Sequence, residues 1–274
     1  MAPLLRNARE GGYAVGSFSV SNMEMVLGVI KAVEETKSPA ILQIAEVRLN
    51  HSPLEIIGPL MVAAAKNSSV PVAVHFDHGK TKEKINQALD IGFTSVMFDG
   101  SHLPFEENAS ATAEIKKLAA SYGADCEGEI GCVGGSEDGS EDIAINCTSP
   151  VQALEFYEKT GVDALAVAIG SAHGVYKSKP QLNIDRLCEI RAKIDTPLVL
   201  HGGSGLSDDD FRNTIREGIA KVNIFTDLCL AGDRAMAKGL ETGVGYLETR
   251  KLKVEYIKEA VKTKMQLFGS VGKA

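Results

Sequence analysis

The stretch Val70-Pro71-Val72-Ala73-Val74-His75-Phe76-Asp77-His78-Gly79 is apolar and valine-rich as far as Phe76, interrupted by His75, then turns abruptly polar. A short run of this composition reads as a strand of a sheet, and the acid, imidazole and glycine that end it read as the start of a functional loop. Seven more runs share the first part of the pattern: Tyr13 to Ser19, Ala40 to Ala45, Ser95 to Phe98, Ala124 to Glu129, Ala164 to Ile169, Leu198 to Leu200 and Ala220 to Ile224. Amphipathic segments separate them, among them Glu24 to Glu35, Glu83 to Asp90, Glu106 to Ser121 and Pro150 to Lys159, the last opened by Ser149-Pro150. Strand and helix patterns in alternation belong to βαβ units, and eight of them predict a closed α/β barrel of the (β/α)8, or TIM, type.

Length agrees with this. A chain of 274 residues matches one barrel of roughly 250 residues plus additions, so a single domain over residues 1–274 is expected. Two segments fall outside the repeat. Residues 131–147 are rich in Gly, Ser, Asp and Glu and too long for a routine turn, so an active-site loop is expected there. Glu248 to Phe268 reads as an additional C-terminal helix packed outside the barrel or at an interface.

Composition narrows the class of function. A hydrophobic fraction of 44%, a charged fraction of 24% and a net charge of -7 describe a globular protein without a nucleic-acid or anionic-membrane surface. The start of the chain lacks the apolar core of a signal peptide, and runs such as Leu60 to Ala65 are too short to span a bilayer, so a cytoplasmic protein is expected. The five cysteines form no C-x-x-C pair and read as reduced thiols.

In barrels of this type the chemistry gathers at the C-terminal ends of the strands. Asp77 and His78 end the third run, Asp99 the fourth, Glu127 and Glu129 the fifth; His173 follows the sixth, His201 ends the seventh and Asn223 lies near the end of the eighth. Three imidazoles with a fourth position open are the ligand set of a catalytic zinc, and His78, His173 and His201 are each followed by glycine, which lets backbone approach a ligand. After His201 come Gly202-Gly203-Ser204-Gly205-Leu206-Ser207 and an acidic helix start, with Ser207 as the candidate N-cap. A Gly/Ser loop of this kind beside Asn223-Ile224-Phe225-Thr226 reads as a phosphate site, although a flexible turn would have the same composition.

Taken in order, these blocks resemble the class II ketose-bisphosphate aldolases, the fructose and tagatose bisphosphate type. The resemblance runs through Val74 to Gly79, Ser95 to His102, Glu127 to Gly131, Gly134 to Asp138, Ala168 to Lys177, Leu200 to Gly205, Lys221 to Ile224 and the tail from Leu267 to Ala274. It implies zinc on His78, His173 and His201, with Asp99 and Glu129 at a second or alternative metal position. It implies dihydroxyacetone phosphate held by Gly174, Gly202, Gly203 and Ser204 and by Asn223, Ile224, Phe225 and Thr226. Asp77 would exchange the proton at the cleaved-bond oxygen, Glu137 the proton at the enediolate carbon, and Lys177 would serve phosphate or a monovalent cation. A homo-oligomer, dimer or tetramer, is expected by the same resemblance.

The expected reaction is reversible aldol cleavage of a phosphorylated ketose, fructose 1,6-bisphosphate by default, with tagatose 1,6-bisphosphate or another ketose 1-phosphate as the alternative. Ser19 stands where many relatives have asparagine and Ala45 where many have serine or threonine, which leaves the aldehyde half open. The sixth strand end carries no lysine, which disfavours a Schiff-base route, with Lys221 near the eighth strand its remaining candidate, and Arg250 is a candidate for a second phosphate. A barrel metal hydrolase and a non-catalytic sugar-phosphate binder are the competing readings.

Overall fold

A computed structural model describes residues 1–134, 146–172 and 180–274. Its eight strands are β1 (Val15–Ser19), β2 (Ala40–Ala45), β3 (Val72–Gly79), β4 (Ser95–Phe98), β5 (Asp125–Ile130), β6 (Ala164–Val167), β7 (Leu198–Leu200) and β8 (Ile219–Ile224). All neighbouring pairs are parallel, and β8 returns to β1, so the sheet closes in sequence order. The expected barrel is the observed one. β2, β3 and β8 are buried on both faces almost throughout, as strands walled by helices outside and filled by side chains inside must be.

The helices between strands are α2 (Met23–Thr36), α3 (Leu54–Asn67), α4 (Lys82–Ile91), α5 (Phe105–Ser121), α6 (Pro150–Thr160), α7 (Ile184–Arg191) and α8 (Asp208–Arg216). Their starts follow local chemistry. The side chains of Asn22 and Thr81 accept the N–H groups of Met25 and Lys84, and Ser207 forms a reciprocal capping box with Asp210. Ser149 precedes Pro150 at the first position of α6, where a missing N–H costs nothing.

Two additions frame the barrel. At its N-terminal end α1 (Ala2–Gly11) sets Leu5 and Ala8 against Val15, Ile41, Ala73, Ala164 and Val199, an apolar layer that closes the bottom. At its flank α9 (Thr226–Thr242) leads to α10 (Tyr246–Phe268), which lies outside the barrel against α2 and α9. Val254, Ile257, Val261, Met265 and Phe268 are its buried face. Gly28 makes the α2 contact possible, because a β-carbon there would stand 2.6 Å from Ile257. No helix among the described residues is long and apolar enough to cross a membrane.

β3 carries the irregularity on which the site depends. Phe76 pairs with Val96, but the next pairing is Gly79 with Phe98, so three steps along β3 match two along β4. The extra residue is a bulge, and His78 takes a left-handed φ of 44°, which an L-residue holds only where its surroundings enforce it.

Candidate active site

The barrel interior is layered. Above the apolar bottom lies a buried polar layer of Ser17, Gln43, His75, Ser95, Glu127 and Lys221. Above that, at the C-terminal mouth, stand Asp77, His78, Glu129, His201 and Asn223, all buried as well. One ligand atom each from Asp77, His78 and His201 can be chosen so that all lie within 4.8 Å of one another. The His78 and His201 rings meet edge to face, with centroids 4.6 Å apart.

Each imidazole is oriented by a carboxylate. His78 Nδ1 lies 2.7 Å from Asp99 Oδ2, while its Nε2 faces Asp77 Oδ2 at 4.0 Å. His201 Nε2 lies 2.9 Å from Glu127 Oε1, while its Nδ1 faces Glu129 Oε2 at 3.3 Å. One nitrogen of each ring is thus tied to an acid behind it and the other turned toward further acids, the arrangement that fixes the tautomer of a metal-ligating histidine. The donor set therefore fits a divalent cation.

Electrostatics agree. Burial opposes charge on both imidazoles, but Asp77, Asp99 and Glu129 outweigh it and hold His78 well above its ordinary pKa. Glu127 and Glu129 likewise push His201 up to about 9. Burial would raise the Asp77 pKa, yet His78, His75, Lys221 and His201 keep it well below the carboxylate range. A field that holds protons on two buried imidazoles also favours a cation in their place.

Asp77 is further held by neutral donors. Gln43 Nε2 donates to its Oδ2 at 3.0 Å and to Ser19 Oγ at 2.9 Å, and Asn223 Nδ2 lies 3.3 Å from its Oδ1. Ser17 donates to Gln43 Oε1, which fixes the amide with its NH2 group toward the acid. Ser19, at the end of β1, is thus a hydrogen-bond partner of Gln43. Ala45 is buried and pairs in register with Asp77.

Of the expected second metal position, Asp99 and Glu129 converge with His78. Both oxygens of Asp99 are engaged, one by His78 and the other by the Ser101 N–H and hydroxyl, whereas buried Glu129 Oε2 is approached by His201 Nδ1 at 3.3 Å. A third group, His75, Asp77 and Glu127, lies deeper. The Lys221 ammonium, 2.8 Å from Glu127, opposes a cation there.

Around the expected phosphate segment, Gly202 has a φ of 66° and would press a β-carbon into the Ala172 carbonyl. Gly203 leaves no room beside the Asn223 carbonyl, which a β-carbon would meet at 2.8 Å. Ser204 Oγ accepts the Phe225 N–H at 3.3 Å, tying this loop to the start of α9, whose first residue is Thr226; Ile224 ends β8 and is buried. The Arg48 guanidinium, in a 3-10 turn (Glu46–Arg48) after β2, lies over the Phe225 ring, 4.3 Å from its centroid. Neither contact was legible in the sequence.

Lys221 is fully buried against Glu127, away from the rim where a carbonyl nucleophile would stand. Arg250, the candidate for a second phosphate, lies within α10, paired with Glu24. His173, Gly174, Lys177 and Glu137 lie outside the described residues, as does most of the loop expected at 131–147. Its base is described: Cys132 and Asn146 form an antiparallel bridge.

Comparison with known proteins places this geometry. The model of the family "Fructose-bisphosphate aldolase class-II" matches residues 1–273. The chain is 40% identical to a sulfofructosephosphate aldolase of Alkalicoccus urumqiensis, over 99% of this chain and 96% of that protein. It is 38% identical to a fructose-bisphosphate aldolase of Staphylococcus epidermidis, over 100% of this chain and 98% of the relative. The crystal structure of the YdjI aldolase from Escherichia coli K12 superimposes with a TM-score of 0.91 at 39% identity, covering 100% of this chain and 98% of that one.

Proposed function

Since the chain belongs to the class II fructose-bisphosphate aldolase family and is thereby a carbon–carbon lyase, we propose that it cleaves a ketose phosphate reversibly into dihydroxyacetone phosphate and an aldehyde, using zinc. The observation that carries this reading is the convergence of Asp77, His78 and His201 at the barrel mouth, each imidazole backed by a carboxylate. His78 and His201, with His173, would hold the ion. When bound, zinc supplies Lewis acidity that offsets the negative charge developing on the ketone fragment.

The protein's own groups divide the remaining work. Asp77, held ionised by its cationic neighbours, takes the proton of the hydroxyl at C4 as the C3–C4 bond breaks, and the aldehyde departs. Gln43 and Asn223 hold that carboxylate against rotation. Glu137 returns a proton to C3, completing dihydroxyacetone phosphate. The phosphate rests on Gly174, the loop from Gly202 to Ser204 and the segment from Asn223 to Thr226, where the start of the 17-residue α9 contributes the positive end of its dipole. Lys177 serves the phosphate or a monovalent cation beside it.

Fructose 1,6-bisphosphate is the default substrate. A sulfofructosephosphate aldolase at 40% identity favours a second reading, in which the aldehyde carries a sulfonate in place of the phosphate; tagatose 1,6-bisphosphate and ketose 1-phosphates complete the set. The site lies in a cytoplasmic homo-oligomer, dimer or tetramer, a reading supported by exposed Leu240, Tyr246 and Leu247 around the α9–α10 turn. A coupled assay of dihydroxyacetone phosphate release across these ketoses, with and without zinc after chelation, tests the proposal. Full turnover in the metal-stripped protein would refute the zinc, and no release from any ketose phosphate would refute the reaction.

A further inference from the structure

We propose that Lys221 is a positioning residue for the metal ligand His201, acting through Glu127. The inference rests on the reading of His201 as a ligand. Lys221 rises from β8 and crosses the lumen to Glu127 on β5, 2.8 Å from Oε2, with both side chains wholly buried. Glu127 presents its other oxygen to His201 Nε2 at 2.9 Å. A competing imidazole lies close: His75 Nε2 is 3.7 Å from the same Oε2 that Lys221 holds.

Glu127 therefore has two histidines within reach, and Lys221 decides between them. With Oε2 pinned by the ammonium, the carboxylate plane is fixed and Oε1 meets His201, leaving His201 Nδ1 toward Glu129 and the centre. Without Lys221, the carboxylate is free to turn toward His75, and His201 loses the acceptor that selects its tautomer and ring angle. Fold stability gives no reason for the pair. A buried ion pair is commonly matched or exceeded by apolar residues of similar volume, and the layer beneath is built from Val15, Ile41, Ala73, Ala164 and Val199. Its value lies in orientation.

Zinc affinity of the metal-stripped full chain, measured by competition with a chromophoric chelator, tests this, together with the visible absorption of the cobalt-substituted protein. Lys221→Met should weaken zinc binding roughly 10- to 100-fold, the usual effect of removing support behind a ligand, and alter the cobalt bands. Because Lys221→Met strands a buried carboxylate and can fail to fold, the double variant Glu127→Leu/Lys221→Met decides the matter. It should melt near the parent temperature yet keep the weakened affinity. Parental zinc affinity in the double variant overturns the proposal, as does borohydride trapping of substrate on Lys221. Zinc retained by His201→Ala would instead overturn the ligand assignment on which the proposal rests.

Discussion

His78 Nδ1 stands 2.7 Å from Asp99 Oδ2, and Asp99 is itself held by the N–H and hydroxyl of Ser101. The acid orients a ring whose other nitrogen faces the site. Asp99→Ala should lower zinc affinity roughly 10- to 100-fold while the protein still binds one ion. If Asp99 were a direct ligand of a second ion, metal stoichiometry by elemental analysis would fall by one at unchanged affinity of the first.

Metal binding must displace protons from the imidazoles, and His201 holds its proton up to about 9, against an ordinary 6.5, because Glu127 and Glu129 outweigh its burial. In the metal-free protein the raised pKa means that protonated His201 adds stability in full below 6.5, and that this is lost as pH rises through about 9. Zinc affinity should accordingly keep rising with pH to about 9. A plateau near 6.5 in chelator-competition titrations would contradict the carboxylate backing.

Asp77→Asn preserves volume and removes the charge proposed to accept the proton. It should retain zinc and depress kcat by about 10²- to 10⁴-fold with little change in KM, the range for loss of a positioned general base. Loss of zinc together with activity, in equilibrium dialysis of the same preparation, would assign Asp77 to the metal instead.

Gly202→Ala should fail at the backbone. A β-carbon there meets the Ala172 carbonyl, and φ is 66°. The combined strain should cost roughly 1–3 kcal/mol and raise KM for every ketose phosphate alike, if the loop holds the half they share as proposed. A selective effect on one sugar in steady-state kinetics would move the loop to the aldehyde side.

Most of the barrel was legible because its strands are short runs of β-branched residues between helix signals. Ala40 to Ala45, Ser95 to Phe98 and Leu198 to Leu200 coincide with the observed strands. α1 escaped notice because its polar turns hide the few residues, Leu5 and Ala8, that plug the barrel bottom. The polar middle layer also escaped, for a different reason. Ser17, Gln43 and His75 look like interruptions in apolar runs, and only closure of the sheet turns them inward together. Glu127 and Lys221 are 94 residues apart, so their pairing is a property of topology that no local pattern carries. Imidazoles at strand ends are rare enough to single out His78 and His201, and Asp99, Glu127 and Glu129 stand at strand ends too; which acid backs which ring shows only in the distances.

The slip between β3 and β4 has a consequence for motion. In a regular strand neighbouring side chains leave on opposite faces, so Asp77 and His78 could not share one mouth; the bulge and the left-handed backbone at His78 bring them there. The carboxylate proposed to carry the proton and the imidazole proposed to hold the metal are thus joined by a single peptide unit. Their spacing is written in covalent geometry, so whatever the surrounding loops do, Asp77 and His78 travel as one rigid piece.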